Sequence, residues 1–194
     1  MNSVSSLIRE RRSIRKYDSR AVGEAEVREL LEQAESLRGV PSGGRWRYVF
    51  AGSQQARDRL AAAMMESFAD SKLGRLLPKK LSESFRKRTA AIPANLIVFV
   101  HKGESRETGE NNFAEACCTL QTLQLLAWER ELGMLWDTEP QLQKPAFQAK
   151  IGIENEETFA GILHMGYFAK VPRGRTRTRA EERWTVIGKQ GGAQ

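Results

Sequence analysis

The chain has 194 residues, 40% hydrophobic and 28% charged, the balance of a soluble globular protein with one substantial core, so a single domain over residues 1–194 is expected. The longest apolar runs, such as residues 96–100, are far too short to cross a bilayer, and no apolar secretory leader opens the chain. A cytoplasmic protein with no membrane partner is the expectation. The net charge of +7 is not spread evenly: residues 1–20, 72–89 and 170–183 together carry +14, which leaves −7 elsewhere.

The first feature in chain order is Arg11-Arg12-Ser13-Ile14-Arg15-Lys16-Tyr17, four cations around a hydroxyl, a branched apolar side chain and an aromatic ring. Forked guanidinium donors suit an anion such as phosphate. In an extended segment Arg11, Ser13 and Arg15 share one side, while Arg12, Ile14 and Lys16 share the other, so Ile14 could anchor the segment. A solvated basic arm is the other reading.

Apolar spacing at Val27, Leu30, Leu31, Ala34 and Leu37 predicts a helix over 24–37, with Glu24 and Glu26 at the end the macrodipole favours. A Gly- and Pro-rich loop over 39–44 leads into a strand over 46–51 and a helix over 54–68. Residues 72–88, basic and interrupted by Pro78, read as broken helix, a mobile cover or an excursion. A buried strand is expected over 95–101. The longest helix follows over 111–132, stopping at Gly133. Further expectations are a strand over 134–136, a short helix over 145–150 and a buried strand over 159–168, before a basic tail.

His101 and His164 lie on different predicted strands, away from any metal-ligand spacing with Cys117 and Cys118. His164 reads as a strand histidine with a satisfied partner, and the two cysteines read as core residues. No P-loop, GxGxxG fingerprint or nucleophile elbow occurs. Anion donors without a complete catalytic constellation suggest reactivity borrowed from a cofactor.

The Arg11 to Tyr17 segment, followed by a helix containing Glu26-Val27-Arg28-Glu29-Leu30-Leu31, resembles the start of the FMN-dependent nitroreductase family. Pro41-Ser42 to Trp46-Arg47-Tyr48-Val49 resembles the family's loop into a Pro-Trp-Arg-Phe strand. Leu125 to Gly133, Trp136-Asp137-Thr138, and Gly161 to Tyr167 with Pro172, Arg175 and Arg177 then follow in family order. The chain departs from the pattern at Gly44 and Arg45, at Trp128 and Glu129, which replace small residues, and at Glu139, where Gly is common.

The resemblance implies an α+β, three-layer fold, a mixed and mainly antiparallel sheet flanked by helices, with a long central helix at a homodimer interface. It implies FMN as cofactor, NADH or NADPH as reductant, and a nitroaromatic, quinone or similar small-molecule oxidant, reduced by ping-pong hydride transfer through flavin N5. Arg11, Arg12, Ser13 and Arg15 would contact FMN, with Arg175 and Arg177 returning to its phosphate. Ser42 and Gly43 would lie beside the flavin or ribityl chain, and Trp136, Asp137 and Thr138 would contact the other part of the cofactor. Arg12 or Arg15 would stabilise negative charge near N1 and O2, with no catalytic side chain and no metal. Two other readings are a nucleic-acid-binding module using the basic blocks, whose aromatics are not interleaved for stacking, and a flavin-binding or flavin-degrading relative on the same fold.

Overall fold

The computed structural model describes residues 4–39, 45–69, 71, 74–76, 78–174, 176 and 179–185. Four strands, β1 (Trp46–Ala51), β2 (Ala94–His101), β3 (Leu132–Asp137) and β4 (Glu157–Tyr167), form a sheet in the order β1-β2-β4-β3. Every pairing among the described residues is antiparallel, so the mixed character expected for the sheet is not seen in them.

Both faces of the sheet are covered. Helix α2 (Glu24–Arg38) turns Val27, Leu30, Leu31 and Ala34 inward, and α5 (Arg106–Glu129) contributes Ala116, Leu120, Leu123 and Ala127 to the same core. Their partners on the sheet are Leu96, Val98, Met134, Leu163 and Met165. On the opposite face α3 (Gln54–Ala69) and α6 (Pro145–Lys150) pack Leu60, Met64 and Phe147 onto Ile97, Phe99 and Ile162. The alternation of β2 between the two cores is the period-two pattern of a strand buried on both faces. This is the three-layer arrangement expected.

Local chemistry explains the element ends. Gly39 closes α2 at φ 64°, donating its N–H to Glu35 and Ser36 carbonyls, which is the left-handed cap glycine adopts without penalty. Ser105 opens α5 by accepting the Thr108 N–H at 3.1 Å. That helix was expected over 111–132; it starts five residues earlier and stops at Glu129. The left-handed residue after it is Glu131 (φ 60°), so Gly133 is not the stop signal but a buried position inside β3.

A short helix absent from the sequence reading, α1 (Val4–Glu10), precedes the basic segment. Within 72–88, α4 (Lys79–Ala90) buries only Ala90 and stacks Phe85 on Phe68 of α3 at 5.7 Å. It is a surface excursion, and no described helix is long and apolar enough to cross a membrane.

Gly133 has a role the sequence did not disclose. It faces Gly166 across the β3–β4 pair, and residues directly opposite in an antiparallel pair project from the same face. A Cβ on Gly133 would lie 2.5 Å from Cγ1 of Ile14 and 2.6 Å from Phe168, and one on Gly166 would lie 2.9 Å from the Tyr17 ring. The two glycines form a floor without side chains on which Ile14 and Tyr17 sit.

Replacing Gly133 with Val is therefore expected to cost about 1–3 kcal/mol through overpacking. Denaturant unfolding would show it as a lower midpoint with an unchanged slope. An equal midpoint would mean that Ile14 does not rest on this floor.

Candidate functional site

The segment after α1 crosses the β3 end of the sheet and is held there by backbone and apolar contacts. The Ile14 N–H donates to the Met134 carbonyl at 3.1 Å, and the Asp18 N–H donates to the Tyr167 carbonyl at 2.8 Å. Tyr17 donates its hydroxyl to the carbonyls of Ile14 (2.7 Å) and His164 (3.1 Å), and burial pushes its pKa far up, keeping the phenol protonated. Ile14 is 1% exposed, the anchor its pattern suggested, while Ser13, Arg15 and Lys16 are exposed.

The anchored segment forms one wall of a cavity of about 1300 Å³, and residues 169–173 form the facing wall. Its lining carries Arg9, Arg11, Arg12, Arg15, Lys16, Lys170 and Arg173, with Asp18 as the single acid. Two of the three basic blocks thus meet, which a solvated N-terminal arm would not do. The third block stays apart, since no described residue of 72–88 lines the cavity.

Inside the cavity Arg12 is shaped for a ligand. Its Nη1 donates to the carbonyls of Arg9 and Arg11 at the end of α1, its Nη2 would lie 2.8 Å from a Cβ on Gly174, and its Nε is buried without a partner. A buried N–H left unpaired beside concentrated positive charge is completed by an anion. Arg11 donates to Gln124 of α5 at 3.4 Å. The donor set therefore fits a phosphate.

Of the other expected site residues, Ser42, Gly43, Arg175 and Arg177 lie outside the described residues. Trp136, Asp137 and Thr138 are described and are not in the cavity's lining. Trp136 donates its Nε1–H to the Ala160 carbonyl at 3.1 Å and, with Thr138, lines a second cavity of about 570 Å³ that also includes Phe113, Cys117 and Phe159. Gly161 makes room for the indole: at φ 140° it occupies backbone space that other residues rarely adopt, and its Cβ would lie 2.3 Å from Trp136 Nε1. Cys117 is half-buried and Cys118 exposed, so the expected placement of both in the core is corrected: α5 turns only its Ala116, Leu120 and Leu123 side inward at that level.

Asp137 points to the α3 side of the sheet. Its Oδ2 lies 3.3 Å from His164 Nε2 and its Oδ1 accepts the Glu139 N–H at 3.0 Å, while His164 Nδ1 lies 2.6 Å from Asn95 Oδ1. An ionised carboxylate can only accept, so Nε2 carries a proton, and the imidazole, 3% exposed, has a polar atom of Asp137 or Asn95 against each ring nitrogen. Burial pushes the Asp137 carboxyl up, but the His164 and Glu139 hydrogen bonds and the charge of Arg15 outweigh this and hold it below the ordinary range. Asp137 thus pins the turn after β3. Among the described residues no group of three His, Cys, Asp or Glu is placed to hold a metal ion.

Arg9, Lys16, Lys170 and Arg173 also line the cavity, and their only signal in the sequence is membership of the charge blocks. The sequence reading missed the Asn95 partner of His164, whose only signal was a polar residue at the head of an apolar strand.

A depressed folded-state pKa adds stability that is present above the ordinary carboxylate range and lost as pH falls through the folded value. Asp137→Asn is expected to cost about 1–3 kcal/mol at neutral pH and much less in acid. Urea midpoints of the two proteins measured from neutral to acid pH should converge; a constant gap would show that the His164 contact does not depend on the carboxylate charge.

Comparison with known proteins bears on the whole chain. The model of the Nitroreductase family matches residues 8–167. A Bacillus subtilis (strain 168) protein, YfhC, whose name assigns it as an NAD(P)H nitroreductase, is 28% identical over 184 residues, covering 95% of this chain and 94% of its own. A crystal structure of a nitroreductase-like family protein from Bacillus cereus superposes with TM-score 0.82 at 30% identity, over 97% of this chain and 98% of that one. A structure from Desulfovibrio desulfuricans, assigned as a nitroreductase and in complex with FMN, gives TM-score 0.66 at 20% identity over 99% of each chain, a likeness of fold.

Proposed function

The chain belongs to the nitroreductase family and is an oxidoreductase, and on that premise we propose that it is a single FMN-binding domain acting as an NAD(P)H-dependent reductase of a small oxidant. The observation that carries the reading is the convergence of the Arg11–Lys16 segment and residues 170–173 on one cation-lined cavity with an unpaired buried guanidinium N–H. Nucleic acid would instead favour cations spread along an open surface.

When bound, FMN would supply the redox chemistry, hydride transfer from NAD(P)H to an oxidant such as a nitroaromatic or quinone in a ping-pong cycle. Arg11, Arg12, Ser13 and Arg15 hold the cofactor from the N-terminal side, with Ser42, Gly43, Arg175 and Arg177 as further contacts. Arg12 is already bonded to two carbonyls and serves as a fixed donor. Arg15 makes no hydrogen bond or ion pair with described residues, so it is the better candidate to stabilise negative charge on the reduced ring. Trp136 and Thr138 shape the neighbouring apolar cavity, and Asp137 fixes the turn that carries them.

The protein acts as a homodimer in the cytoplasm. Phe113 and Cys118 are exposed on α5, as a central helix meeting a second copy would leave them in one protomer.

The purified protein is expected to be yellow, or to become so with added FMN, and to bleach under NADH or NADPH without oxygen. Arg11→Ala and Arg15→Ala are each expected to weaken FMN binding by about 1.5–3 kcal/mol in a fluorescence titration. A colourless protein that takes up no FMN would overturn the reading, and a monomer by analytical ultracentrifugation would remove the dimer.

A further inference from the structure

Helix α5 turns an apolar side into the core, with Leu120, Leu123 and Ala127 fully buried, and sets a large amide among them: Gln124 is 4% exposed. An amide buried without partners is costly, so its contacts show what it serves. Asn112 and Thr119, the other buried polar residues of the helix, donate to the backbone carbonyls of His101 and Glu115. Gln124 alone of the three also meets a side chain among the described residues. Its Nε2 donates to the Leu120 carbonyl at 3.2 Å, and its Oε1 accepts from Arg11 Nη1 at 3.4 Å.

The partners fix which end of the amide points where. A carbonyl oxygen only accepts and a guanidinium only donates, so the NH2 group belongs at Leu120 and the oxygen at Arg11. The bond back to Leu120, one turn earlier on the same helix, holds the side chain in that orientation. Arg11 is thereby tied to a fixed point in the core, 113 residues away in sequence.

The charge of the acceptor is a second observation. Arg47 and Arg130 are held across the fold by the carboxylates of Glu157 and Glu29, which neutralise them. The half-buried arginines of the cavity wall meet neutral oxygens instead: Arg12 the carbonyls of Arg9 and Arg11, and Arg11 the amide of Gln124. A neutral acceptor orients a guanidinium and leaves its charge for an anion.

We propose that Gln124 is a positioning residue of the flavin site, holding the Arg11 guanidinium in place for the anionic cofactor without cancelling its charge. The inference rests on the FMN reading. A long side chain loses rotamer freedom when it grips a ligand, and a contact that already fixes it lessens that loss.

The test is a double-mutant cycle read by fluorescence titration of the apoprotein with FMN. Gln124→Met and Gln124→Leu, both without an acceptor oxygen, are each expected to weaken FMN binding about fivefold. In the Arg11→Ala background the same substitutions should change FMN affinity by less than about twofold, because the group they act through is gone. Gln124→Glu, which adds a charge opposite that of Arg11, should weaken binding at least about tenfold. An equal loss in both backgrounds would show that Gln124 serves only the packing of α5 and would overturn the proposal. So would wild-type FMN affinity in the Met and Leu variants or in Gln124→Glu. In each of those cases flavin uptake by the wild type leaves the FMN reading standing, whereas a wild type that takes up no FMN overturns both.

Discussion

The site depends on a close approach that only glycine permits. Gly133 and Gly166, opposite each other on β3 and β4, leave the sheet bare where Ile14 and Tyr17 settle. Two backbone hydrogen bonds and the buried tyrosine hydroxyl then hold the segment in register. Arg15 and Lys16 of the segment take no part in this anchoring. Apolar packing and backbone pairing position the charge, and the charge remains available for a ligand.

That separation of tasks accounts for the electrostatics. A cluster of seven cations opposes folding through mutual repulsion, and the structure tolerates it because the segment's own energy comes from Ile14, Tyr17 and the sheet. Acids that could neutralise the cluster are engaged elsewhere: Asp18 with Arg20, and Asp137 with His164 and the Glu139 N–H. The polar network around His164 lies under the same end of the sheet and sets a polar atom against each ring nitrogen. Through Asp137 it orders the turn after β3.

Much of the fold was legible in the chain because its periodicities are strong. The strand over Trp46–Ala51 and the helix over Pro145–Lys150 fall where the pattern placed them, and the remaining strands and α2 lie within two residues of expectation. The errors have local causes. Gly133 carried a helix-stop signal, but the left-handed turn fell on Glu131 and the glycine served packing. Helix α1 was not expected, and its seven residues, about two turns, bury no side chain. Cys117 and Cys118 sat within an apolar helical pattern too broad to show which side faced the sheet.

The sequence by itself determined most of the helices and strands, through apolar spacing, and, through ordered motifs, the resemblance to the nitroreductases that implies the three-layer fold. It also determined the capacity for anion binding, through the residue types of the Arg11 to Tyr17 segment. Only the tertiary structure decided that residues 170–173 join that segment while 79–90 do not, and that Asp137 turns toward His164. Charge blocks are a property of local sequence, whereas their convergence requires contacts between distant residues, and no periodicity of one segment records which distant segment it will meet.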